Sequence, residues 1–201
     1  MLTLTSPLLL GLLLGFRHAS DADHVATIAA VVVGRSRLLG ALRTALLWGL
    51  GHSLTFFAVG LAIVLFDLHV PEAFEAAVQV AIALSLLLLG AIQLVRAQRN
   101  QMVQAEPHGS RPFLLGSLHG LAGSAGIALI ALTTIAERDQ ALWYLLLFAL
   151  GTIAGMAVIT LALAWSFRLS SSSTRARRGM ILTAGTVSCC CGLSILHEML
   201  I

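Results

Sequence analysis

The chain alternates between long apolar stretches and short charged ones. Six apolar stretches stand out, over about residues 5–33, 41–66, 73–97, 112–136, 141–167 and 179–200. Each reaches or exceeds the ~20 residues that a helix needs to cross ~30 Å of hydrocarbon. The pattern predicts an all-α polytopic membrane protein with six transmembrane helices. No polar stretch is long enough to fold alone, so residues 1–201 are expected to form a single transmembrane bundle. The first stretch is longer than a span requires and polar at its centre. A tilted, kinked or locally unwound helix is expected there.

The connections alternate in charge. Arg35, Arg37 and Arg43 flank the first, and Asp67, Glu72 and Glu75 the second. Arg96, Arg99 and Arg111 flank the third. Glu137, Arg138 and Asp139 form the fourth, and Arg168, Arg175, Arg177 and Arg178 flank the fifth. Ten of the twelve basic residues thus fall on one side. The positive-inside rule makes that side cytoplasmic and puts both termini outside, in the cell (inner) membrane.

The apolar pattern also repeats. Leu13-Leu14-Gly15-Phe16-Arg17-His18 resembles Leu114-Leu115-Gly116-Ser117-Leu118-His119. Leu46-Leu47-Trp48-Gly49-Leu50-Gly51-His52 resembles Leu146-Leu147-Phe148-Ala149-Leu150-Gly151-Thr152, and Leu89-Gly90 resembles Cys191-Gly192. The offsets are 101, 100 and 102. This predicts repeat 1 over about 5–97, a linker over about 98–111 and repeat 2 over about 112–200. Three spans per repeat invert the second half in the membrane, a common plan for secondary transporters that bind substrate near the midplane. Gly11/Gly15, Gly116/Gly120 and Gly151/Gly155 are spaced for close helix packing. The first and fourth spans are expected to meet at the centre through Gly15, Gly116 and Gly120.

Composition sharpens the class. The chain is 58% hydrophobic and 10% charged, against about 25% charged in soluble domains. The net charge of +3 does not point to nucleic acid, because every basic residue is Arg and most lie in short loops. The N-terminus lacks the basic region and cleavage site of a signal peptide. The adjacent Cys189, Cys190 and Cys191 make a poor disulfide framework and read as packing residues.

The candidate chemistry interrupts the first span. Arg17-His18-Ala19-Ser20-Asp21-Ala22-Asp23-His24 sits between apolar flanks. Each Asp or Arg at mid-membrane costs roughly 2.5–3.5 kcal/mol on insertion scales. Intramembrane ionisable groups of this kind mark functional sites. On a regular helix Arg17, His18, Asp21 and His24 share a face, and Asp23 falls on the far side. Asp23 then either orients a neighbouring ligand or binds a partner helix, or it ligates after local unwinding. His52 and His119 lie at comparable depth in the second and fourth spans. His119 reads as a ligand, as a gate below the site, or as a buried imidazole satisfied by a carbonyl or Ser. Neutral imidazoles suit Ni, Cu, Zn and Fe, whereas carboxylate-only sites suit Mg or Ca.

His18-x4-Asp23-His24 resembles the signature of the nickel/cobalt permease family, and Gly51-His52-Ser53 looks like that family's next motif. The specific resemblance covers about residues 11–60. Larger members have eight helices and a Leu-Gly-Phe-Asp-Thr type motif in the second half. Here Leu118-His119-Gly120-Leu121-Ala122-Gly123-Ser124 is more similar to the short permeases encoded as urease accessory proteins. The resemblance implies a permease, not an enzyme, that takes up Ni²⁺ or Co²⁺ as substrate and holds no prosthetic group. Its metal residues would be drawn from His18, Asp21, Asp23, His24, His52 and His119. The lipid bilayer, the divalent ion and a cytoplasmic metallochaperone are the implied partners.

Other readings fit less well. His18-x4-Asp23 also matches the pattern of glycerolipid acyltransferases, but no soluble domain accompanies it and His24 has no place there. A transporter of another small solute on the same three-plus-three plan is a further reading, and one acting as a thiol-redox carrier needs cysteines on separate helices, whereas Cys189, Cys190 and Cys191 are consecutive. No Walker-type phosphate loop occurs. Inward movement of a divalent cation gains about 4.6 kcal/mol per 100 mV, enough for a concentration ratio on the order of 10³.

Overall fold

Helix accounts for nearly all the described residues of the computed structural model, which are 2–33, 37–66, 70–101, 110–121, 135, 137–169 and 173–200. Seven helices occur among them: α1 (Leu2–His18), α2 (Ala22–Val32), α3 (Leu38–Phe66), α4 (Glu72–Gln98), α5 (Arg111–Gly120), α6 (Arg138–Leu169) and α7 (Thr174–Glu198). Arg35, Asp67, Pro107 to Gly109, Ala122 to Ser124 and Ser170 to Ser172 lie outside the described residues.

Local sequence explains several boundaries. α4 begins after Pro71 with Glu72 and Glu75 in its first turn and carries Arg96 in its last, which complements the helix dipole at both ends. α7 is capped by Ser173, whose hydroxyl accepts the Ala176 N–H at 3.3 Å.

Among the described residues four helices, α3, α4, α6 and α7, are long and apolar enough to cross a membrane. In the most apolar stretch of each, only 28 to 44% of residues are buried inside the protein. Leu54, Leu84, Leu88, Leu150 and Leu193 are among the large side chains pointing outward. Such a surface requires an apolar surrounding. The stretch 5–33 is two short helices, α1 and α2, meeting at a break at Ala19 to Asp21. The stretch 112–136 begins as α5; its residues 122–134 and 136 are not described.

The helices pair as α1 with α6, α3 with α5, α3 with α6, and α4 with α7, while α2 lies against α4, α6 and α7. Exchanging α1 with α5, and α3 with α6, leaves the first three pairings unchanged. Glycines set the distances of approach. Gly15 faces the Phe148 carbonyl and Gly116 the Trp48 carbonyl. Gly51 faces the Phe113 carbonyl and Gly151 the Leu12 carbonyl. Between α4 and α7, Gly90 meets Gly185 and Cys189, and Gly192 meets Ala83 and Leu87. Partners in these contacts recur at the offsets of 100 to 102 read from the sequence.

One expectation is corrected. Gly15 packs on α6, while Gly116 and Gly120 pack on α3. The first and fourth stretches therefore do not meet through these glycines. Each small-residue face instead lets a short helix approach the backbone of a long one. Gln93 on α4 donates its side-chain amide to the Ala30 carbonyl and ties α2 to the α4–α7 pair.

Candidate metal centre

The site begins with the break between α1 and α2. Ser20 and Asp21 favour turns over helix interiors because short polar side chains compete for backbone partners. The Ser20 N–H bonds the Arg17 carbonyl at 2.8 Å and the Asp21 N–H bonds the His18 carbonyl at 3.0 Å. Asp21 then caps α2 in an extended conformation (φ −61°, ψ 146°). Its carboxylate makes no cap hydrogen bond, because it is used by His18. The unwound segment keeps its N–H groups paired, as backbone at membrane depth must.

Breaking the helix changes which side chains meet. His18 donates its Nδ1–H to Asp21 Oδ2 at 2.8 Å, and His24 donates its Nδ1–H to Asp23 Oδ1 at 2.9 Å. Each carboxylate thus holds one imidazole by Nδ1, and the Nε2 lone pair of each ring faces the cluster. The rings of His18 and His24 are 4.6 Å apart. His52 arrives from α3, where its Nε2 lies 3.2 Å from His18 Nε2. With the His18 proton on Nδ1, His52 donates here. Among the described residues, His24 Nε2 and His52 Nδ1 are buried without a hydrogen-bond partner.

His18, His24 and His52 are all buried and can each offer a ligand atom within 4.8 Å of the others. Orphaned imidazole nitrogens buried this closely together fit a transition-metal ion. A carboxylate on the remote nitrogen of a ligating histidine fixes its tautomer and raises its basicity. Asp21 and Asp23 stand in that relation to His18 and His24. The C-termini of α1 and α5 end here with partial negative charge, and the N-terminus of α2 begins here with partial positive charge, so the helix ends add no clear net field for a cation. Replacing Asp23 by Asn should weaken metal affinity by about 10–100-fold while leaving the rings in place, measurable by titration calorimetry. Asp21→Asn should do the same; an unchanged affinity in both would refute the orienting role.

His119 sits beside this group. It is fully buried, and its ring lies 5.9 Å from that of His24. Its Nδ1–H donates to the Leu115 carbonyl at 3.0 Å, and its Nε2 lies 3.1 Å from Thr27 Oγ1. Its Nδ1 is thus engaged, its Nε2 faces only the Thr27 hydroxyl, and His119 is not among the three clustered ligands. The Thr27 hydroxyl also lies 2.7 Å from the Asp23 carbonyl, so its single proton serves one of two acceptors.

Sequence reading missed Thr27 and Trp48. Thr27 lies three residues after His24, on the same helical face. Trp48 lies one turn before His52, and its ring packs against His24 at 5.3 Å and His119 at 5.6 Å.

A profile of the family described as HupE / UreJ protein matches residues 5–198. The chain belongs to the HupE/UreJ protein family. The match takes in all six candidate metal residues and both halves of the chain. A urease accessory protein UreH from Bacillus sp. (strain TB-90) is 26% identical to this chain, over 98% of this chain and 92% of its own length. The chloroplast protein FOR GROWTH AND FERTILITY 2 of Arabidopsis thaliana is also 26% identical, over 75% of this chain and 45% of its own length. No solved structure matches.

Proposed function

We propose that this chain is a membrane permease for a divalent transition-metal ion, Ni²⁺ first and Co²⁺ second, carrying it to the cytoplasm for a metalloenzyme. It acts as a carrier and not as an enzyme. The observation that carries the reading is the set of three buried imidazoles within 4.8 Å, two of them braced by carboxylates. An apolar outward surface on four membrane-length helices supports a bilayer setting. The urease accessory description of the Bacillus relative agrees with nickel supply.

In this reading His18, His24 and His52 bind the ion, Asp21 and Asp23 orient the first two, and His119 lines the route. The bundle has six spans arranged as two inverted three-helix repeats. Support comes from the glycine contacts, which pair Gly15 with Phe148 and Gly116 with Trp48 across the two halves. The Arg-bearing side is cytoplasmic, and a metallochaperone receives the ion there. His52 has to give up its hydrogen bond to His18 when both bind metal, so ion entry rearranges a proton in the site.

Reconstituted protein should accumulate radioactive nickel in vesicles carrying an inside-negative potential, and should lose that activity with a chelator outside. No accumulation of nickel or cobalt by folded protein would reject the permease. Cysteines introduced at Arg37 and Ser173 should label from the cytoplasm, and one at Val70 from outside. Reversed labelling would invert the direction of transport.

A further inference from the structure

We propose that Trp48 and Phe148 are the two gates of the histidine site, Trp48 closing it toward the Arg43 side of the bundle and Phe148 toward the Glu137 side. The proposal deepens the permease reading and rests on it.

Along α3, Thr44, Trp48, His52 and Phe56 follow one another a turn apart. Trp48 is buried on the Arg43 side of the cluster, with its ring edge-on to His24 (72°) and His119 (64°). Beyond it lies a cavity of about 20 Å³, lined by Trp48, Thr27, Val32, Thr44, Leu115 and Thr160. Thr44 adjoins Arg43, so the cavity lies between the cluster and the basic side. It has room for about one water, which needs polar partners to stay, and its walls are apolar. A hydrated cation meets a dewetted constriction there, one of the ways in which channels close. The Trp48 indole N–H has no hydrogen-bond partner among the described residues, so packing alone fixes the ring.

Phe148 holds the matching place on the other side. Its ring lies 5.4 Å from His18 and is backed by Phe56 at 4.6 Å and Tyr144 at 6.4 Å. This stack lies toward the Arg138 end of α6. Trp48 and Phe148 are also equivalent in the repeat, 100 residues apart. Each carries its gate beside a crossing point: Gly116 of α5 rests on the Trp48 carbonyl and Gly15 of α1 on the Phe148 carbonyl. Rocking one short helix therefore displaces the backbone of one gate and leaves the other, the motion that alternating access between repeats requires.

The test uses His52→Cys as a reporter in the full chain, with Cys189, Cys190 and Cys191 replaced by Ser. A membrane-impermeant methanethiosulfonate cation is added to one side of reconstituted vesicles at a time. The parent should label slowly from both sides. Trp48→Ala should accelerate labelling at least about tenfold from the Arg43 side only, and Phe148→Ala from the Glu137 side only, as removal of a dry constriction implies. Trp48→Phe should stay slow. If Trp48→Ala fails to insert, Trp48→Leu carries the same expectation. Labelling that is no faster, or equally faster from both sides, overturns the gates. The readout needs no metal: absent nickel binding by the unsubstituted chain would sink the permease reading alone, and normal binding with unaltered labelling would sink the gates alone.

Discussion

Replacing His24 by Ala should abolish saturable nickel binding and uptake. His24 is the centre of the cluster: its ring lies 4.6 Å from that of His18, 4.9 Å from His52 and 5.9 Å from His119. It is fully buried, and its Nε2 meets no hydrogen-bond partner among the described residues. Losing it leaves two imidazoles and strands the Asp23 carboxylate, which is 14% exposed. Loss of an outer-shell partner alone weakens metal sites by about 10–100-fold, and loss of a ligand should exceed that. Binding is measured on protein in mild detergent and uptake in vesicles, with thermal unfolding as the check on folding. His24→Ala protein that binds nickel as tightly as the parent would remove His24 from the site.

The second large effect concerns the glycine crossings. A Cβ on Gly15 would meet the Phe148 carbonyl, with Phe148 Cα only 3.0 Å away, and a Cβ on Gly116 would meet Trp48 in the same way. The obstacle is backbone inside a long helix, so the short helix has to move away. Overpacking of this kind costs about 1–3 kcal/mol and sometimes more. Gly15→Ala and Gly116→Ala should each lower the unfolding midpoint in detergent clearly. Gly179→Ala is the control, because nothing lies within 4 Å of its Cβ position. It should be neutral or gain up to ~1 kcal/mol from helix propensity. Equal midpoints for all three variants would contradict the packing account.

Much of the site was legible because ions are rare in apolar sequence. His18, Asp21, Asp23 and His24 stand out against their flanks, and His52 recurs at similar depth. The geometry was less legible. A regular helix sends Asp23 away from His18; the break at Ala19 to Asp21 reorients α2 against α1, and within α2 Asp23 bonds its neighbour His24. That break has no Gly or Pro to announce it, only Ser20 and Asp21. The role of His119 depends on a carbonyl one turn back and on Thr27 across the helix interface, neither of which spacing reveals. The glycine spacing foretold close approach but not the partners: α1 and α5 seat on α6 and α3, whose exposed backbone they meet, and not on each other.

Crystals of the chain soaked or grown with nickel, measured at the nickel absorption edge, locate the ion. One anomalous peak is expected within bonding distance of His18, His24 and His52, with Asp21 and Asp23 still on the Nδ1 atoms of the first two. A peak elsewhere in the bundle, or none at saturating nickel, would contradict the three-histidine site.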